Sequence, residues 1–85
     1  MFSSIGNEVI AMEEKIINII ADVVEEPGEN ITLQSKAGDF EKWDSLAQVT
    51  IISRVIDEVN ANIPFEALIE VDTVASFVEA AKKQY

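Results

Sequence analysis

Residues 44–59 read DSLAQVTIISRVIDEV, an aspartate and a serine followed by an apolar-rich run. The apolar side chains of this run recur at spacings of three and four, which predicts a helix. Its predicted core face consists of Leu46, Val49, Ile52, Ile56 and Val59, with Val55 beside them. Asp-Ser before such a run is commonly a helix cap. An exposed serine there also suits a phosphate-linked modification, because a helix N-terminus attracts anions. Both interpretations of Ser45 remain open at this point.

A second helical pattern precedes this stretch. Pro27-Gly28 ends it, and Ser3, Ser4 or Asn7 is a candidate cap at its start. The predicted buried stripe of this first helix is Val9, Met12, Ile16, Ile19, Ile20 and Val23. The chain therefore predicts a long amphipathic helix before the Asp-Ser stretch.

Two further helices are predicted after it. Asn60-Ala61-Asn62 interrupts the pattern, and Pro64 fits the first turn of a short third helix from Phe65 to Ile69. Asp72 or Thr73 then caps a fourth helix. Its predicted core residues are Val74, Phe77, Val78 and Ala81, and its last turn holds Lys82 and Lys83. These patterns predict an all-α fold of one domain over residues 1–85: a small antiparallel four-helix bundle of three longer helices and one short helix.

The connection over residues 25–44 is long for a loop without regular structure. Its apolar residues, Ile31, Leu33, Phe40 and Trp43, predict that it packs across the bundle. Lys36-Ala37-Gly38-Asp39 is typical of a turn. Trp43 has two interpretations, since it either packs the loop onto the helices or contacts a bound group or a partner.

Composition excludes several classes of function. The 85 residues contain neither histidine nor cysteine, so the usual general base, thiol nucleophiles and thiolate metal sites are absent. Sixteen acidic and six basic residues give a net charge of -10, which disfavours nucleic acid and anionic lipid and favours basic partners. We predict no metal site, no signal peptide, no membrane span and a cytoplasmic monomer.

The chain resembles the acyl carrier proteins, a family of phosphopantetheine-binding carriers. The resemblance rests on Trp43-Asp44-Ser45-Leu46, on Val49 and Ile52, and on the later segments Asp57-Glu58, Asn62-Ile63-Pro64 and Asp72-Thr73-Val74. The first helix fits as well, through Met12-Glu13-Glu14-Lys15-Ile16-Ile17. The resemblance covers nearly the whole chain, and the long loop matches least well.

The resemblance implies a covalent 4′-phosphopantetheine arm on Ser45, flanked by Asp44 and Leu46 as the rest of the attachment motif. The arm comes from coenzyme A, is attached by a phosphopantetheinyl transferase, and carries acyl groups as thioesters between enzymes. The chain is then a carrier and not an enzyme, with no catalytic residue of its own. Candidate residues for lining an acyl chain, which are more simply explained as ordinary core, are Val49, Ile52, Val55, Ile56, Ile63 and Leu68.

Partner docking is the least typical feature. The family usually places acids where this chain has Ala47, Thr50 and Phe65, and Arg54 adds a positive charge. Arg54 is also explained by a simple pair with Glu58. The candidate docking residues are Ala47, Thr50, Arg54, Asp57, Glu58, Phe65 and Glu66. Acyl-transferring and condensing enzymes with basic or apolar patches are the expected partners, in fatty-acid or specialised, polyketide-like biosynthesis. An aminoacyl or peptidyl carrier and an unmodified helical interaction module are the alternatives.

Overall fold

The structure is a computed structural model that describes the backbone of residues 3–83 and the side chains of residues 10–83. Its α-helices are α1 (Ser3–Val24), α2 (Ser45–Glu58) and α3 (Val74–Lys83). Single 3-10 turns lie at Gly28–Asn30 and Phe65–Ala67. The all-α prediction is confirmed, and within residues 3–83 the one β-type pairing is an isolated bridge between Lys36 and Thr73. The predicted short third helix is not confirmed, because only one 3-10 turn forms after Pro64.

Helix α1 is the centre of the packing, since it contacts both α2 and α3. Met12, Ile16, Ile19 and Ile20 are buried as predicted, and Val24 is buried where Val23 was expected. The predicted Val9 side chain lies outside the described residues. Asn7 is inside the helix and is therefore not its cap. The helix ends where Glu25 adopts a left-handed φ of 60° and the Glu26 N–H donates to the Ala21 carbonyl, in the Schellman manner.

The core face of α2 differs from the predicted one. Its buried residues are Ala47, Ile51, Ile52 and Val55, while Ile56 and Val59 are half-buried. Leu46 is 75% exposed and Val49 is 49% exposed. Apolar residues occur on nearly every side of this helix, so spacing alone offered two stripes. The helix buries the stripe through residues 47, 51 and 55 and leaves the one through residues 46, 49 and 53 in solvent.

The long connection packs on the helices as predicted. Ile31 and Trp43 are buried, and Leu33 and Phe40 pack against the core. Phe40 stacks on Trp43 with ring centroids 6.5 Å apart. The predicted turn forms, with Gly38 at a φ of +94° and the Asp39 N–H bonded to the Lys36 carbonyl at 3.0 Å.

The same connection also holds the start of α3. The Val74 and Ala75 N–H groups donate to the carbonyls of Ser35 and Leu33, each at 2.9 Å. Thr73, rather than Asp72, supplies the side-chain cap, since its Oγ1 accepts from the Ser76 N–H at 3.1 Å. The orphan N–H groups of this helix end are therefore satisfied by the loop as well as by its own cap.

We expect added salt to raise the melting temperature of the protein. A net charge of -10 on a small domain repels itself, and salt screens exposed charges over about 10 Å at 0.1 M ionic strength. Thermal unfolding followed by circular dichroism from low to moderate salt, with magnesium as a second series, measures the effect. A melting temperature that does not change across these series would contradict this account.

Candidate functional site

Ser45 is the first residue of α2 and is exposed. The residue that caps this helix is Asp44, whose Oδ1 accepts from the Ala47 N–H at 2.9 Å. The capping interpretation of the Asp-Ser pair is therefore correct for Asp44, and the Ser45 hydroxyl is not needed for it. An exposed hydroxyl beside the positive end of the helix dipole suits a phosphodiester.

Trp43 holds the end of the long loop against the start of α2. It is only 1% exposed, and its indole Nε1–H donates to Gln48 Oε1 at 2.7 Å. The Gln48 amide in turn donates to the Val71 carbonyl at 2.5 Å. These bonds connect the long loop, the second turn of α2 and the segment before α3. The packing interpretation of Trp43 is thus confirmed.

An open cleft of about 470 Å³ lies beside Ser45. Its walls come from the loop, from α2 and from the segment before α3, and are formed by Ala37, Gly38, Trp43, Asp44, Ser45, Gln48, Ile69, Glu70, Val71 and Asp72. The cleft offers a surface along which a flexible group attached to Ser45 can lie.

A second groove, of about 700 Å³, is lined by one side of α2, the end of α1 and the loop. Ion pairs bridge these elements: Arg54 to Asp22 at 2.6 Å and Lys42 to Glu25 at 2.6 Å. Arg54 also pairs with Glu58 at 2.8 Å, which confirms the predicted pair. A hydrogen bond from Arg54 lowers the pKa of the Glu58 carboxyl. The hydrogen bonds that Arg54 donates to Glu58 and, to a smaller extent, to Asp22 raise the pKa of Arg54. Arg54 therefore stays charged and is paired with two carboxylates of the same molecule.

The predicted docking residues do not all reach the surface. Thr50, Asp57, Glu58, Phe65 and Glu66 are exposed, and Arg54 is half-buried. Ala47 is only 8% exposed and packs with the core, yet it also borders the second groove, so its part in docking stays a prediction.

The predicted lining residues are mostly core. Ile52, Val55, Ile63 and Leu68 are buried and Ile56 is half-buried. Val49 is 49% exposed, which argues against a place on an interior path, and its role as a lining residue stays a prediction. Sequence reasoning missed Gln48 and Ile69, which both border the cleft beside Ser45. The signal for Gln48 was a polar residue three positions after Ser45, on the side of α2 that also carries Ile52.

Comparison with known proteins supplies the family. A family model described as a phosphopantetheine attachment site matches residues 14–81, most of the chain. Searches of curated proteins and of solved structures gave no significant match. Within the part of the chain that the structure describes, no helix is both long and apolar enough to cross a membrane.

The residues at the candidate site fit the group that this family carries. The arm ends in a thiol that holds cargo as a thioester, and the chain, with no cysteine, has no thiol of its own to compete. An exposed hydroxyl at a helix N-terminus, spared from capping and bordering an open cleft, suits its attachment. The chain therefore belongs to the phosphopantetheine-binding carrier family, whose members bear a covalently attached 4′-phosphopantetheine and act as carriers rather than catalysts.

Proposed function

We propose that the protein is an acyl carrier protein whose 4′-phosphopantetheine arm is attached to Ser45. The observation that carries the proposal is the placement of Ser45, exposed at the first position of α2 while Asp44 performs the capping. A separate phosphopantetheinyl transferase is needed, because the chain has no histidine to activate the hydroxyl. The protein then shuttles acyl intermediates, as thioesters, between enzymes of fatty-acid or specialised biosynthesis.

The surface around Ser45 supports a partner with an apolar patch. Leu46 and Val49 are exposed on α2 and lie on the stripe that continues to Ser53. Phe65 lines a groove with Ser53 and Ile56 at one end of this stripe, and Ile69 borders the cleft of Ser45 at the other. Exposed apolar residues that are grouped in this way are typical of interaction surfaces. Asp57 and Glu66 add acidic groups for basic residues at the rim of a partner.

An aminoacyl or peptidyl carrier is the second candidate. It is favoured by the same apolar face and by Thr50 where an acyl carrier usually has an acid. The net charge of -10 supports the acyl carrier instead. Cargo distinguishes the two directly, so the cargo is the property to measure.

Cargo identification tests the proposal. The protein is purified from cells in which it naturally occurs, digested, and the peptide that contains Ser45 is analysed by mass spectrometry. We expect a pantetheine arm bearing an acyl group. An amino acid on the arm would favour the second candidate, and a Ser45 that is never modified would refute both.

The reduced acidity of the docking face should limit activity with housekeeping fatty-acid enzymes. Rim charges chiefly control the rate of encounter with a basic partner. We therefore expect Thr50→Glu, at an exposed position, to increase loading by a standard acyltransferase several-fold at low salt, with the gain lost at high salt. Thr50→Gln is the matched control, since glutamine has the same length as glutamate but carries no charge.

Two results would contradict this expectation. One is a wild-type protein, without the Thr50→Glu substitution, that already works as well as a housekeeping carrier. The other is an equal gain from Thr50→Gln, which would exclude charge as the cause. The additional change Ala47→Asp is not useful here, because it would place a carboxylate in the core.

A further inference from the structure

One side of α2 leads from Ser45 to the core. Ser45, Gln48, Ile52 and Val55 follow one another at spacings of three and four, so they share a side of the helix. Ser45 is exposed, Gln48 is half-buried, and Ile52 and Val55 are buried. Ser45 and Gln48 both border the cleft. Cargo on an arm at Ser45 that entered the bundle from this cleft would therefore meet Gln48 before it reached the core.

Gln48 connects the two sides of the cleft through hydrogen bonds to Trp43 and Val71. Its amide nitrogen donates to the Val71 carbonyl and its amide oxygen accepts from the Trp43 indole. Trp43 is buried, so displacing Gln48 would leave a buried indole N–H without its acceptor. Leaving such a donor unpaired is costly, because it has also lost its contact with water.

The core that the side of α2 beyond Gln48 enters is one cluster of buried side chains. Val55 and Leu68 are fully buried, and Ile52 and Ile63 are nearly so. An entering chain would have to separate packed side chains as well as break the bonds of Gln48. Each buried methylene of the cargo returns only a modest free energy, so a short chain cannot offset both costs.

We infer that Gln48 closes the way from the cleft into the core and holds short acyl cargo outside the bundle, which makes it a residue that determines cargo specificity. The inference rests on the proposed attachment of the arm at Ser45. Cargo held outside remains accessible to an enzyme without extraction from the core. The chemistry that suits such a carrier is a short or polar acyl group rather than a long alkyl chain.

Thermal unfolding of loaded protein tests the inference. Wild type, Gln48→Ala and the control Gln34→Ala, at an exposed loop position, are loaded by a transferase with non-hydrolysable acyl-coenzyme A analogues from acetyl to octanoyl. Intact mass confirms loading before each melt. Wild type and Gln34→Ala should melt within about 2 °C across the series. Gln48→Ala should gain about 3 °C for each methylene that enters the core.

Gln48→Thr, which is also shorter than glutamine, replaces Gln48→Ala if the latter does not fold. A wild-type melting temperature that rises stepwise with chain length would overturn the inference. A flat series in the loaded Gln48 variant would overturn it as well, and would leave the carrier function intact. Failure of every transferase to load the wild type would instead overturn the proposed function and this inference together.

Discussion

Ser45→Ala is expected to abolish attachment of the phosphopantetheine arm completely while leaving the fold intact. The Ser45 hydroxyl is the group to which the arm would be attached. Asp44 rather than Ser45 caps α2, so the helix does not need this hydroxyl. Alanine is a good helix former, so the free energy of unfolding should change by less than about 0.5 kcal/mol. Intact mass after incubation with coenzyme A and a transferase, together with a thermal melt, measures both effects.

Ser53→Ala is the matched control for this change. Ser53 is also an exposed serine of α2, but it lies two turns further along, away from the helix start. It should load like the wild type. Loading that survives in Ser45→Ala would place the attachment elsewhere, and loss of folding in Ser45→Ala would mean that the hydroxyl has a structural role.

Trp43→Ala is expected to cause the largest loss of stability among single changes at the site. It removes a buried aromatic side chain that stacks on Phe40 and donates to Gln48. Large-to-small changes of buried aromatic residues cost about 3–5 kcal/mol, a large part of the 5–15 kcal/mol that stabilises a typical domain. Urea unfolding followed by circular dichroism measures the change.

Two variants make this experiment specific. Trp43→Phe keeps an aromatic ring but loses the indole N–H, so its free energy of unfolding should lie between those of the wild type and Trp43→Ala. Phe65→Ala removes an exposed aromatic side chain and should cost less than about 1 kcal/mol. Equal losses for Trp43→Ala and Phe65→Ala would contradict the assignment of Trp43 to the core.

Much of the fold follows from local signals in the sequence. Met12, Ile16 and Ile20 recur at helical spacing beside charged residues, so the buried side of α1 was predictable. Asp72 or Thr73, with the following apolar residues, predicted the start and core face of α3 in the same way, and the structure selects Thr73 as the cap. The packing of the long loop was predictable from Trp43, since a large aromatic residue in a loop is rarely left in solvent.

The errors come from tertiary packing. Helix α2 is apolar on two sides, and which side is buried depends on where α1 and the turn after Pro64 lie, which no local pattern specifies. Residues after Pro64 form one 3-10 turn instead of a helix, because a single short turn gains little from its own hydrogen bonds. The role of Gln48 depends on Trp43 and Val71, and the latter lies 23 residues away in the sequence.

The most direct test of the central claim is to locate the arm by peptide mass spectrometry. The protein is incubated with coenzyme A and a broad-specificity transferase, digested, and every serine-containing peptide is fragmented. The chain has serines at positions 3, 4, 35, 45, 53 and 76, so the result discriminates among them. We predict one arm per chain, on Ser45 alone. An arm on another serine, or a wild-type chain whose mass stays unchanged with several transferases, would contradict the account.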